Sequence, residues 1–187
     1  MSVIHISRSG KTYRLHVTVN PKGKEKFFFS TKPDGVLAHA IPEGYEVYET
    51  INAQVLLRRI TVPVIRADEL ALVVSRVDEL LQKWTYKAEI KKNMIVIHET
   101  QKSDNWADFA PWIDPVKAEK HSVMHATYMP VMRFVLVEKE TRLFRPERFC
   151  FRGSVDDWIE LGLPDSLKKL SEEFIQHLGK DSFYDLM

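Results

Sequence analysis

From Tyr13 to Val19 the chain alternates, with Tyr13, Leu15, Val17 and Val19 on one side and Arg14, His16 and Thr18 on the other. A period of two predicts a half-buried strand. Asn20-Pro21-Lys22-Gly23 follows; glycine tolerates positive φ and proline fixes a negative one, so the chain reverses there and Lys26-Phe27-Phe28-Phe29 returns as the partner strand. After the turn residues Lys32-Pro33-Asp34-Gly35, a further extended run covers 36–41. Pro42-Glu43-Gly44 ends it, Tyr45 to Glu49 alternates again, and Val55 to Ile60 is the next strand. The first 60 residues read as antiparallel hairpins.

The period changes near Asp68. Leu70, Val73, Val74, Val77, Leu80, Leu81 and Trp84 recur at steps of three and four, which predicts an amphipathic helix over about 67–83. Two β-prone runs, Tyr86 to Ile90 and Met94 to His98, flank the polar link Lys91-Lys92-Asn93 and predict another hairpin. Residues 100–120 carry Trp106, Phe109 and Trp112 without a sustained period and read as a long aromatic loop.

Strands are then expected at Val123–Tyr128, Val131–Glu138 and Arg148–Arg152, with a reversal at Lys139-Glu140-Thr141. Helix starts are expected at Ser154-Val-Asp-Asp157 and at Pro164-Asp165-Ser166. The second helix carries Leu167, Leu170, Phe174, Ile175 and Leu178 toward a Gly179 cap. Strand groups and helices without a regular βαβ alternation predict an α+β fold, mainly antiparallel, with one central amphipathic helix and one C-terminal helix. The chain reads as a single domain, 1–187, with a weaker subdivision into β-rich hairpins at 1–62 and an α+β part at 63–187.

Composition narrows the class. The chain has 187 residues, enough for a core without staples. Its 27 lysines and arginines against 26 acids leave +1, which makes a uniformly basic nucleic-acid binder or an acidic tail a poor description of the whole. Cys150 is the single cysteine and has no intramolecular partner, so a reducing compartment, the cytoplasm, is expected. The first residues lack the pattern of a secretory signal. The mostly apolar stretch Val131 to Val137 is far shorter than the roughly 20 residues of a membrane helix, so a soluble protein without membrane insertion is expected.

Three groups of residues carry candidate chemistry. His121 and His125 stand four apart, with Asp114 upstream; on a helix the two imidazoles would lie one turn apart and could grip one ion. The strand expected at Val123 would instead separate them by roughly 13 Å, and Ser122 occupies the position of the general-base glutamate in a zincin-type helix. With Asp104, Asp108 and the loop aromatics, this set supports a metal-dependent, hydrolase-like enzyme with its site in 104–125.

The second group is basic. Residues 1–32 hold seven lysines and arginines against Glu25 alone, a net +6, with Lys22, Lys24 and Lys26 at the first hairpin. Such a hairpin with phenylalanines beside it fits phosphate contacts and base stacking; lysines on a hairpin more commonly guard an edge strand. The third group is Arg142, Arg145, Arg148 and Arg152, with only Glu147 opposing within the stretch. Arginines there suit bidentate anion binding, or ion pairs with Glu138, Glu140 or Asp156 and Asp157.

No glycine-rich phosphate loop and no nucleophile elbow are present, and Cys150 between Phe149 and Phe151 reads as core. No catalytic residue and no cofactor is therefore assigned, and the oligomeric state is left open. The leading expectation is a non-catalytic binding or accessory module. It contacts an anionic partner, protein or nucleic acid, through the basic hairpin (Lys22, Lys24, Lys26) or the arginine strand (Arg145, Arg148, Arg152). The alternative is the metal-dependent enzyme with Asp114, His121 and His125 as ligands.

Overall fold

The computed structural model describes residues 2–80, 84–101, 114, 123–152 and 155–186. Two compact units emerge: Met1–Val62 with Lys102–Ala126, and Pro63–Gln101 with Thr127–Met187. The architecture is α+β with antiparallel sheets, as the alternation of periods predicts.

In the first unit, β1 (Ile4–Ile6), β2 (Thr12–Val19) and β3 (Glu25–Ser30) form an antiparallel sheet in that order, and β4 (Tyr45–Glu49) pairs with β5 (Val55–Arg59). The β2–β3 turn closes where the sequence places it. Gly23 adopts φ +76, and the Asn20 side-chain carbonyl accepts the backbone N–H groups of Lys22 at 2.9 Å and Lys24 at 3.0 Å. Leu15 and Val55 are among its fully buried side chains.

The extended run expected at 36–41 is reduced to one bridge, His16 to Leu37. The reason is competition for an edge: β1 already occupies β2 from Thr12 to Arg14. Only Leu15 to Val17 remains for this segment, through Val17 N–H to Val36 and Ala38 N–H to Leu15.

In the second unit, α1 (Ala67–Leu80) precedes β6 (Tyr86–Lys91), β7 (Met94–Thr100), β8 (Tyr128–Glu138), β9 (Leu143–Arg152), β10 (Val155–Glu160), β11 (Asp165–Ser166) and α2 (Leu167–Phe174). The sheet runs β10-β9-β8-β7-β6, with β11 also on β9. Val73 and Val77 of α1 and Leu167, Leu170 and Phe174 of α2 join Ile95, Ile97, Met132, Phe134 and Phe144 of the sheet in one core. The expected helix positions 81–83 lie outside the described residues.

Two expectations are corrected here. The helix expected from Ser154 is strand β10, paired residue by residue with β9. The Asp157 carboxylate accepts the N–H of the very next residue, Trp158, at 2.7 Å rather than capping a turn, and Trp158 packs edge-on against Phe149 with ring centroids 5.2 Å apart. The strand expected at Val123–Tyr128 begins only at Tyr128, and residues 123–125 are helical. β7 ends at Thr100, opposite Tyr128, and beyond that pair the two chains are joined by the Gln101 N–H to the Thr127 carbonyl at 2.8 Å, without a continued ladder among the described residues.

Candidate anion-binding surface

Lys22 and Lys24 lie in the β2–β3 turn and Lys26 in β3. All three are exposed, and none has an ion pair among the described residues. Register sorts the neighbouring phenylalanines: Leu15 faces Phe29, His16 faces Phe28 and Val17 faces Phe27 across the ladder. Side chains alternate between faces along a strand. Phe28 therefore shares its face with Arg14, Thr18 and Lys26, while Phe27 and Phe29 lie on the face of buried Leu15.

Next to this face a groove of about 610 Å³ is lined by Lys11, Thr12, Tyr13, Arg14, Ser30 and Thr31. It brings two cations, three hydroxyls and a phenol together. Lys11 and Arg14 also lack an ion pair among the described residues. Arg8, by contrast, is held inside its own unit by the carbonyls of Ile51 at 2.6 Å and Val123 at 2.7 Å.

The arginine strand is arranged differently. Arg145 pairs with Glu147 at 3.1 Å and Glu160 at 2.9 Å. Arg133 shares the same Glu147, whose side chain is 5% exposed, and lies 4.1 Å over the Trp158 ring. Arg148 is on the core face, 8% exposed, donating to the Tyr184 carbonyl at 3.0 Å. Arg152 ends β9 and pairs in register with Val155. The acids engaged here are Glu147 and Glu160, and Arg142 reaches Glu69; Glu138 instead accepts the Thr141 hydroxyl at 2.6 Å. Of the acids that pair with these arginines, Glu147 was legible as a neighbour in sequence and Glu160 and Glu69 were not.

Of the metal candidates, Asp114 and His125 are exposed and His121 lies outside the described residues, as do Asp104, Asp108, Trp106, Phe109 and Trp112. Among the described residues no three histidine, cysteine or acidic side chains gather as a metal-binding group. A polar cluster that sequence reasoning missed joins half-buried Glu89 and exposed Lys91 to buried His98. Lys91 Nζ is 2.9 Å from Glu89 and 3.4 Å from His98. Burial pushes His98 below the ordinary histidine value; Glu89, 3.4 Å from the ring, pulls the other way and Lys91 adds to the lowering. The signal for this cluster is the strand alternation, which puts Glu89 and Lys91 on one face of β6.

Among the described residues no helix is long and apolar enough to cross a membrane. Compared with protein-family models, curated proteins and solved structures, the chain matches none.

Proposed function

We propose that the protein is a non-catalytic binding module whose first unit contacts an anionic partner through the β2–β3 hairpin. One observation carries the reading: Lys22, Lys24 and Lys26 are exposed and unpaired among the described residues, whereas Arg145 is matched by carboxylates and Arg148 is buried. Charge left uncompensated at a surface attracts anions at long range and costs nothing to expose. The groove beside Lys11 and Arg14 extends the same positive surface. A soluble protein of the cytoplasm belongs to this proposal and rests on the single free cysteine, Cys150.

The test is fluorescence anisotropy with a labelled heparin oligosaccharide. The expected result is an affinity that falls by tenfold or more between about 50 and about 200 mM salt, and that is lost in the Lys22→Glu, Lys24→Glu, Lys26→Glu variant. Unchanged binding in that variant refutes the hairpin as the contact.

A further inference from the structure

We infer that the anion bound by this surface is single-stranded nucleic acid, held with a base stacked on Phe28 and its phosphates on the cations to either side. The inference rests on the reading above and names its ligand. Three rows cross the β2–β3 ladder on one face: Arg14 with Ser30, His16 with Phe28, and Thr18 with Lys26. Successive rows on one face of a sheet are about 7 Å apart. The aromatic row therefore has a cation on each side of it, so that a base laid on the ring has a cation toward the phosphates before it and another toward those after it.

The ring is also fixed in place. Phe28 stacks on His16 with centroids 5.5 Å apart and planes 15° apart, and His16 is 4% exposed with Nε2 3.1 Å from the Lys32 carbonyl. Gly35, at φ +114, lets the following loop close on that imidazole, because a Cβ there would come within 3.2 Å of His16 Nδ1. Phe28 is nevertheless 38% exposed, and Ile4 and Ile6 continue its face over β1 at 54% and 67%. A large, pre-oriented aromatic surface left in water between cations is the arrangement that binds unpaired bases.

Chemistry separates this ligand from other polyanions. A duplex keeps its bases stacked inside and leaves Phe28 without a role. An acidic peptide or a phospholipid headgroup satisfies the lysines and offers no flat base for the ring. A single strand uses the cations, the hydroxyls of Thr18 and Ser30, and the ring together.

The experiment compares two labelled probes of about 12 nucleotides, an oligo-dT and an abasic strand with the same number of phosphates, by anisotropy on the full-length protein. The expected result is about tenfold tighter binding of oligo-dT. Phe28→Leu should bring oligo-dT down to the abasic level without changing the affinity for the abasic strand, and Phe28→Trp should keep the preference. Equal affinity for the two probes, or no binding of oligo-dT, overturns the inference, and this comparison needs no variant to fold. If binding is equal for both probes yet lost in the triple lysine-to-glutamate variant, the anion-binding reading stands and the nucleic-acid ligand falls. If the triple variant binds both probes as tightly as the natural protein, both readings fall.

Discussion

Glu69 links two stretches of the second unit that are 73 positions apart. Its carboxylate accepts Nε of Arg142 at 2.8 Å and the backbone N–H of Arg66 at 2.7 Å, and Nη2 of Arg142 makes a further short bond to it. Glu69 sits in the first turn of α1, so it caps the helix while it binds the guanidinium. Burial alone would push its carboxyl up, but the bonds from Arg142 and Arg66 and the charges of both arginines outweigh this and hold it below the usual carboxylate value. Glu69→Gln removes the charge this partly buried pair depends on and leaves Arg142 the weaker attraction of Asp68, and a loss of about 2 kcal/mol in unfolding free energy is expected by urea titration. The natural protein should also weaken in acid. A lowered folded-state value contributes stability above the unfolded value of about 4.3; that stability drains away as pH falls from there through the folded value, and the glutamine variant should lack this component.

At the scale of elements, what was legible followed from local pattern. The β2–β3 turn needs only Asn20, Pro21 and Gly23, and α1 needs only its three-and-four spacing, so both stand where the sequence puts them. The start at Ser154 misled because Ser-x-x-Asp signals a helix only when no strand competes; here β9 supplies a full ladder, and Trp158 finds Phe149 across it. The lysines of the candidate site were legible as charge, while the choice of Phe28 from three adjacent phenylalanines was not, since it is set by register with β2. The Glu69–Arg142 pair was invisible for a similar reason: nothing near either residue names the other. The β6–β7 turn shows a local cost that pattern also hides. Lys92 adopts φ +56 and is exposed, a conformation that costs an L-residue roughly 1–2 kcal/mol. Lys92→Gly should therefore raise the urea midpoint, by about 1 kcal/mol in stability once the extra freedom of glycine in the unfolded chain is subtracted. A lower midpoint would mean that the lysine side chain contributes more than its backbone costs.

At the scale of the whole chain, the two units are interleaved, since the second is interrupted between Gln101 and Thr127 by residues of the first. The interruption joins two adjacent antiparallel strands. Thr100 lies opposite Tyr128 in the ladder, and Gln101 N–H donates to the Thr127 carbonyl at 2.8 Å, so the two ends of the break already meet as the ends of a hairpin. Among the described residues, the core of α1, α2 and the large sheet is built from residues of the second unit, Ile65 to Phe183. Both facts argue that the second unit holds its own folding information. A chain of 63–101 joined to 127–187 through Asn-Gly, which supplies the positive φ of a two-residue hairpin turn, should fold as a monomeric α+β domain with a single cooperative urea transition. Replacing the long excursion by two residues also lowers the entropy lost on closing the β7–β8 hairpin. Circular dichroism and a denaturant titration decide it: a sigmoidal loss of structure bears the argument out, and a gradual, non-cooperative one means that the sheet needs the first unit to be stable.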